Sequence, residues 1–325
     1  MMTMLIHQSL FTDHRSPITD HRSLFTDHRQ LFTDDRSPKR RLICLLVDFH
    51  THTTSSDGTL SPEELVKKAK LIGIEALAIT DHDTISAFYE LDGKFDDDID
   101  IKLIRGVEIS AEYPTDSLHI LGYNFKDIDT MGKVLNELIE YRNRRNEIII
   151  QKMNSLGFKA TIEEIKEIAK GEAVGRPHFA RLMVNKGYVS SIDEAFDKYL
   201  RDGGLLFVEK KRLKPKEAIE LIKNTGGVAV LAHPFEVLRG KNSEEDDITY
   251  IENLIGELIS YGLDGIEVFY STHTPNQINE LIRIAKKYNL MITAGSDFHG
   301  VNRPSVKLGM NVPYKLLEKF LCSVI

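Results

Sequence analysis

Histidines and carboxylates follow one apolar stretch after another along this chain of 325 residues. His50 and His52 come shortly after the first stretch, at 44–47, and residues two apart on a strand point to the same side. Asp57 follows in a loop that can return its carboxylate to the same point. A single His-x-His pair is weak evidence for a metal site, but similar groups recur further along the chain.

The later apolar stretches are accompanied by the same residue types. Six of the eight histidines outside the N-terminal region end a predicted strand or lie beside one, although a lone histidine in such a place is more often a core residue. Independent placement would not concentrate histidines in this way. The candidate metal ligands are His50, His52, Asp57, His82, Glu108, His119, His233, Asp297 and His299.

This set of residues predicts a hydrolytic metal centre. Nitrogen and oxygen ligands without cysteine favour manganese, zinc or iron, and nine of them exceed what one tetrahedral ion needs. We therefore expect two or three divalent ions that share a carboxylate. Clustered ions bind phosphate oxygens and lower the pKa of bound water to ~7, which gives a hydroxide nucleophile. The chemistry indicated is hydrolysis, most naturally of a phosphoester.

The apolar stretches that carry these residues alternate with helical segments. Strands are predicted at 44–47, 76–80, 101–107, 117–124, 227–232, 265–269 and 290–294. Alternation of this kind implies an α/β fold of parallel strands with helices outside. Functional residues of such folds cluster at the carboxyl ends of the strands, where the candidate ligands occur.

One long segment interrupts the alternation. Residues 127–207 have no strand pattern, and helices are predicted at 129–156 and from Thr161, Gly175 and Ser191 onward. We predict a barrel made of 44–126 and 208–325, with 127–207 as a helical insertion that covers the active site.

The first 43 residues are a low-complexity segment in which Thr-Asp-His-Arg recurs with a period of seven. A metal-binding tail is one interpretation, but the composition favours a disordered segment at 1–43. Mass spectrometry of the N-terminus would show whether the native protein contains it.

Composition narrows the class of protein. A net charge of −7 argues against a general nucleic-acid coat, although it leaves room for a local basic groove. Two cysteines, Cys44 and Cys322, suit a reducing cytoplasm, and the chain has no apolar run of 18 residues that would cross a membrane. We expect a cytoplasmic protein without a stable protein partner.

Six motifs together resemble those of the PHP (polymerase and histidinol phosphatase) superfamily. In chain order they are His-Thr-His-x4-Asp, Thr-Asp-His-Asp, Gly-Val-Glu-Ile-Ser, His-Ile-Leu-Gly-Tyr, Ala-His-Pro and Ser-Asp-Phe-His. The resemblance covers roughly 45–310 and is greatest to the branch of 3',5'-nucleoside bisphosphate phosphatases that also act as 5'-to-3' exoribonucleases. It implies a distorted seven-stranded, TIM-like (β/α) barrel with a trinuclear site that usually holds manganese.

The resemblance also implies roles for individual residues. It divides the candidate ligands into His50, His52, Glu108 and Asp297 for one ion, Glu108, His119 and His233 for a second, and Asp57, His82 and His299 for a third. In that branch the insertion supplies phosphate contacts, and Arg176 and His178 are the matching candidates. A guanidinium grips phosphate bidentately and a helix N-terminus favours anions, although a surface salt bridge is the alternative for Arg176.

Several neighbouring residues have supporting interpretations. We expect Asp81 and Asp83 to support His82, and Glu267 either to support a ligand or to pack within the barrel. The run 210–212 could flank an RNA backbone, but a solvated run of charges is the more usual interpretation.

The prediction is therefore a metal-dependent phosphoesterase. Its substrate would be a 3',5'-nucleoside bisphosphate or the 5' end of short single-stranded RNA, hydrolysed through a metal-bound hydroxide. One alternative is a histidinol-phosphate-type phosphatase of small monoesters, and another is a non-catalytic, metal-binding regulatory PHP module. The presence of all nine candidate ligands favours an enzyme.

Overall fold

The computed structural model describes residues 43–91, 101–114, 118–169, 174–238 and 246–325. Apart from Ile43, the segment 1–43 that the sequence predicts to be disordered lies outside these residues. Within the described ranges, every helix is too short or too polar to cross a bilayer.

Eight strands form one sheet that is nearly closed into a barrel. They are β1 (Cys44–Asp48), β2 (Ala76–Ile79), β3 (Lys102–Ser110), β4 (His119–Tyr123), β5 (Val228–Leu231), β6 (Gly265–Tyr270), β7 (Met291–Gly295) and β8 (Met310–Pro313). Their order is β7-β6-β5-β4-β3-β2-β1-β8. The chain just beyond β1 also bonds the β7 region, because Phe49 N donates to Ala294 O at 2.9 Å. Strands β1 to β7 therefore surround the core, and β8 pairs antiparallel with β1.

Helices cover the outside of this sheet. They are α1 (Pro62–Leu71), α2 (Ser86–Leu91), α3 (Ile128–Ser155), α4 (Ile162–Ala169), α5 (Arg176–Asn185), α6 (Ile192–Ala195), α7 (Pro215–Asn224), α8 (Asp247–Ser260), α9 (Pro275–Lys287) and α10 (Tyr314–Val324), with helical turns at Phe196–Leu200, Pro234–Leu238 and Gly300–Asn302. Local sequence explains several starts: Ser61 and Glu64 form a capping box before α1, and Thr274 does the same for α9 with Gln277. The predicted α/β barrel is confirmed.

Strand β4 departs from the parallel arrangement that alternation predicts. It runs antiparallel to both β3 and β5. The connection from β3 to β4, residues 111–118, contains no helix in its described part, and a parallel pair needs a crossover of a dozen or more residues. The chain therefore turns back on itself, and the first residue of β4, His119, reaches the edge where the parallel strands end.

The helices α3 to α6 have a hydrophobic core of their own. Ile149 and Met153 from α3 pack with Phe179 and Met183 from α5, apart from the cluster that fills the barrel. The boundaries 44–126, 127–207 and 208–325 stay a prediction, and this second core supports them.

Asp48 at the end of β1 ties three segments together. This fully buried carboxylate accepts hydrogen bonds from Ser296 N at 2.9 Å, Ser296 Oγ at 2.5 Å and Gly309 N at 2.8 Å. The loop after β7 and the approach to β8 are thereby fixed to the strand that carries His50.

We expect Asp48→Ala to lower the free energy of unfolding by about 2–4 kcal/mol, because buried N–H and O–H donors lose their acceptor. Urea denaturation measures this change. The exposed Glu137→Ala, in α3, is the control and should stay within about 0.5 kcal/mol of the native chain. Equal stabilities of Asp48→Ala and Glu137→Ala would contradict the role given to Asp48.

Candidate metal centre

The nine predicted ligands meet at one edge of the barrel. The parallel strands deliver most of them from their carboxyl ends: His50 and His52 follow β1, His82 follows β2, His233 follows β5, and Asp297 and His299 follow β7. Glu108 lies within β3, and its backbone bridges to that of His82. The reversed direction of β4 brings His119 to the same edge.

Glu108 is the centre of this group. Its carboxylate is 1% exposed, and Oε2 lies 3.2 Å from Nε2 of both His50 and His52 and 3.1 Å from His82 Nδ1. The other oxygen, Oε1, lies 2.7 Å from His119 Nδ1 and 3.0 Å from His233 Nε2. One carboxylate thus faces imidazoles from four different strand ends.

Two aspartates complete the cluster on either side. Asp297 Oδ1 lies 3.1 Å from His52 Nε2 and 3.5 Å from His50 Nε2. Asp57 Oδ1 lies 3.1 Å from His299 Nε2, and Asp57 Oδ2 lies 3.7 Å from His82 Nε2. Asp57 therefore returns from its loop to the histidines, as its spacing predicts.

The ligand atoms fall into three overlapping groups, each spanning less than 4.8 Å. The groups are His50, His52, Glu108 and Asp297; His52, Asp57, His82 and His299; and His82, Glu108 and His119. The first matches the implied set, and the second is the implied set with His52 added. In the third, His82 stands where the resemblance implies His233, although His233 shares Glu108 Oε1 with His119.

Several buried polar atoms in the cluster lack hydrogen-bond partners within the described ranges. They are Nε2 of His50, His52 and His299, Nδ1 of His82 and His233, and Oε2 of Glu108. Buried polar atoms are normally satisfied, and all of these except His233 Nδ1 belong to the three groups, whose ligand atoms lie at spacings suited to shared cations. The residues present therefore fit divalent metal ions.

The electrostatics of the cluster agree with this fit. Burial opposes the charged form of His52, but the close carboxylates of Asp297 and Glu108 outweigh it and raise the pKa of His52 to about 10. Burial likewise opposes ionisation of Glu108, yet the surrounding imidazoles hold the pKa of its carboxyl well below the usual range. Carboxylates that remain ionised in a buried site attract cations, whether protons on histidine or metals.

Burial has the opposite result at His82, where it is the dominant influence. The pKa of His82 falls to about 4 because desolvation and the nearby His52 outweigh the attraction of Glu108. A neutral imidazole is the form that binds a metal.

A second set of contacts orients the ligands. Glu267, fully buried, lies 3.1 Å from His50 Nδ1 through Oε1 and accepts a hydrogen bond from His233 N at 2.8 Å through Oε2. Of the two interpretations of Glu267, the contacts support the one in which it orients ligands. A Cβ atom on Gly295 would lie 2.1 Å from His50 Cβ, so only glycine permits this approach.

Backbone conformations at the cluster are unusual. His233 has φ 26° and Asp297 has φ 59°, in a region that side-chain-bearing residues seldom occupy. Such conformations persist where surrounding contacts fix them, and they concentrate at functional sites.

The prediction that Asp81 and Asp83 support His82 is wrong, because both carboxylates bond other residues. Asp81 accepts hydrogen bonds from Thr53 N, at 2.7 Å, and from Ser56 Oγ, at 2.6 Å. It therefore orders the loop between His52 and Asp57, a contact across 25 or more residues that local sequence does not reveal.

Asp83 likewise has distant partners. It accepts from Ser110 N at 2.9 Å and from Arg142 Nη2 at 2.5 Å. Its carboxylate thus connects the loop after His82 to β3 and to helix α3.

Two residues that contact Asp297 escaped sequence reasoning. Tyr270 donates its hydroxyl to Asp297 Oδ2 at 2.9 Å, and the Arg303 guanidinium contacts the same oxygen. Because both contacts are made to Oδ2, the Oδ1 atom of Asp297 faces His50 and His52. Tyr270 is the last residue of β6, and this position at the end of a strand could have identified it as a candidate site residue.

A cavity of about 410 Å³ opens beside the cluster. Asp57, His82 and His119 line it from the barrel, and Gly175 and Arg176 line it from the insertion. Four further cationic residues line it, which are Arg142, Arg145, Lys210 and Arg212. The sequence offers 210–212 as a possible flank of an RNA backbone, but sequence reasoning gave no role to Arg142 or Arg145. The spacing of 142 and 145 on one helix was a usable signal, because residues three apart share a face.

The two predicted phosphate contacts lie at the start of α5. Arg176 Nη1 bonds Leu200 O at 3.4 Å and Asp202 Oδ1 at 3.3 Å. His178 Nδ1 accepts from Gly175 N at 3.0 Å and so caps its own helix. Both roles stay predictions.

The sequence of this chain is similar to those of several known proteins. Residues 48–268 match the family model described as the PHP domain. The 5'-3' exoribonuclease Rnm of Escherichia coli is 35% identical over 259 residues, which cover 78% of this chain and 85% of that protein. The 3',5'-nucleoside bisphosphate phosphatase of Chromobacterium violaceum is 29% identical over 255 residues, covering 78% of this chain and 87% of that protein.

A solved structure from Bifidobacterium adolescentis has the same architecture. It superimposes with a TM-score of 0.66 and 28% identity, covering 86% of this chain and 96% of that chain. That protein has been assigned provisionally to the metal-dependent phosphoesterases.

We expect Mn²⁺ to raise the Tm of chelator-treated protein by about 5 °C or more, because a ligand that binds only the folded state stabilises it. Glu108→Ala should abolish most of this rise, since Glu108 belongs to two of the three groups. Glu137→Ala, remote from the cluster, should show the full shift. Differential scanning calorimetry with elemental analysis checks both, and an undiminished shift in Glu108→Ala would contradict the proposed ligand set.

Proposed function

Because this chain belongs to the PHP domain family, we propose that it is a metal-dependent phosphoesterase acting on nucleotides. The substrates we propose are 3',5'-nucleoside bisphosphates, which would lose a terminal phosphate, and the 5' end of short single-stranded RNA. The observation that carries this proposal is the placement of the Glu108 cluster at the wall of a cation-lined cavity. The names of the Escherichia coli and Chromobacterium violaceum relatives support the choice of substrates.

The eight residues of the three groups, together with His233 beside Glu108, would hold two or three ions. We propose manganese because nitrogen and oxygen donors without thiolate suit it. Bound ions supply Lewis acidity toward phosphate oxygens and an activated water. The protein residues around the ions hold the ligands in position. Glu108 gives two of the three groups a shared carboxylate. Glu267 fixes His50 through Nδ1, and Tyr270 fixes Asp297 through Oδ2, which leaves His50 Nε2 and Asp297 Oδ1 facing the other ligands.

Residues of the cavity wall would bind the phosphate of the substrate. We propose that Arg176 contacts a phosphate, since it lines the cavity together with Asp57 and His82. His178 holds Gly175 N through its ring, which fixes the start of α5 where Gly175 also lines the cavity. A positively polarised helix start there stabilises the negative charge of a phosphate.

The number of cations favours a substrate with more than one phosphate. Five positively charged side chains line the cavity, those of Arg142, Arg145, Arg176, Lys210 and Arg212. A small monoester such as histidinol phosphate offers only one phosphate for them. Bisphosphates and RNA offer two or more, so the cavity favours the nucleotide substrates over the monoester alternative.

We also keep a cytoplasmic location as a proposal. Cys44 and Cys322 are both exposed free thiols, which suits a reducing compartment.

We expect the manganese-loaded protein to release inorganic phosphate from adenosine 3',5'-bisphosphate, and His52→Ala to lower kcat/KM by on the order of 100-fold or more, since loss of a ligand exceeds the effect of losing its support. A malachite-green assay measures the release, with Glu137→Ala as the control. Equal rates for native chain and His52→Ala would reject the site, and no release by the native chain would reject the substrate.

Arg176→Ala should lower kcat/KM for the same substrate by about 10- to 100-fold, because a charge-assisted bond to phosphate is lost. Arg176→Lys should recover part of the loss. Asp202→Ala is the matched control: it removes the carboxylate partner of Arg176 and leaves the guanidinium in place. If Asp202→Ala and Arg176→Ala lose activity equally, the salt bridge explains the effect and the phosphate contact is wrong.

A further inference from the structure

An exposed aromatic ring on helix α3 lies close to two cationic side chains. Tyr141 of α3 is 47% exposed. The Lys211 ammonium lies 4.1 Å from the centroid of its ring, and the Arg144 guanidinium carbon lies 5.9 Å from it. Lys211 and Arg144 are themselves exposed.

The residues of this group adjoin the cavity wall in the chain. Arg145, four residues after Tyr141 and therefore on the same side of α3, lines the cavity, and so do Lys210 and Arg212 on either side of Lys211. The ring and its two cations, which we name the Tyr141 platform, thus lie next to residues of the cavity wall.

The platform is basic in a chain whose net charge is −7. Arg144 has a carboxylate neighbour, Glu140, at 3.2 Å, and both side chains are largely exposed, so this pair is weak. With the cationic cavity lining, Lys211 and Arg144 extend a positive surface outward from the metal cluster. Such a surface complements a phosphate backbone.

We propose that the Tyr141 platform binds single-stranded RNA beyond its 5' nucleotide, with a base stacked on Tyr141 and Lys211 and Arg144 contacting flanking phosphates. This inference rests on the proposed function, because it takes the 5' end of the RNA to occupy the cavity. The platform would be a second binding site, outside the cavity, that RNA contacts and a mononucleotide is too short to reach. An aromatic ring among cations is the usual means of binding single strands without sequence preference.

The ammonium over the ring does not prevent stacking. An exposed contact between a cation and an aromatic face is worth ~0.5–1 kcal/mol, whereas base stacking on an aromatic side chain is worth ~1–3 kcal/mol. Lysine also has a flexible stem. A base can therefore displace Lys211 from the face of Tyr141, and the ammonium gains a phosphate partner in return.

Tyr141→Trp tests stacking directly, because the chain contains no tryptophan and the substituted residue would be its sole indole fluorophore. In the manganese-loaded protein, a phosphorothioate-linked RNA pentanucleotide that resists hydrolysis should quench this fluorescence. Inorganic phosphate and adenosine 3',5'-bisphosphate should not. Tyr89→Trp, at an exposed tyrosine on α2, is the matched control and should show no quenching. Absence of quenching at position 141, or equal quenching at position 89, would overturn the platform.

Tyr141→Ala tests the contribution to binding. It should weaken the Kd for the same pentanucleotide about 5- to 100-fold, while kcat/KM for adenosine 3',5'-bisphosphate stays within about twofold of the native value. Tyr141→Phe keeps the ring and should bind RNA like the native chain. Unchanged RNA affinity in Tyr141→Ala, or equal losses for RNA and bisphosphate, would contradict the platform.

The two hypotheses fail separately in this design. RNA affinity that depends on Tyr141, together with no hydrolysis of either substrate, would support the platform and reject the proposed function. Hydrolysis of the bisphosphate with no measurable binding of RNA would support the function and reject the platform.

Discussion

A buried carboxylate surrounded by imidazoles is the constraint on which this structure depends. Glu108 is 1% exposed and contacts five histidines, so its negative charge has no water to stabilise it. An ionised carboxylate in such a place costs several kcal/mol unless cations or hydrogen bonds compensate. Protons on the histidines can compensate in part, which is why the pKa of His52 rises to about 10. Divalent ions would compensate better, because they would also satisfy ring nitrogens that have no hydrogen-bond partner in the part of the chain that the structure describes.

The closure of the barrel serves this constraint. Asp297 N donates to His50 O at 2.8 Å, so the backbones of two candidate ligands are bonded to each other where β1 meets β7. Gly295 allows the approach, and Asp48 holds Ser296 from the other side. A change in how the barrel closes would therefore separate the ligands. Stability of the fold and geometry of the metal centre depend on the same few bonds.

Sequence reasoning succeeded where local pattern determines geometry. A histidine two residues from another at the end of a strand must face the same way, and His50 and His52 do. It failed where partners are distant in the chain. Alternation suggested a parallel β4, but direction depended on the length of one connection. The carboxylates of Asp81 and Asp83 were assigned to the nearest histidine, whereas packing directs them to Ser56 and Arg142. Nothing local to those aspartates specifies such contacts.

The bond between Asp83 and Arg142 has a mechanical consequence. It joins the loop that follows His82 to the helix that carries Tyr141 and Arg144, and Asp83 also holds Ser110 N of β3. The other helices of the insertion pack in their own core, so their exposed faces can vary without disturbing the barrel. Helix α3 is also joined to the barrel by packing, because its Met131, Leu135 and Leu138 belong to the barrel core while its Ile149 and Met153 belong to the core of the insertion. RNA bound along α3, as proposed, would therefore be linked to the metal cluster both by this packing and by the bond between Asp83 and Arg142.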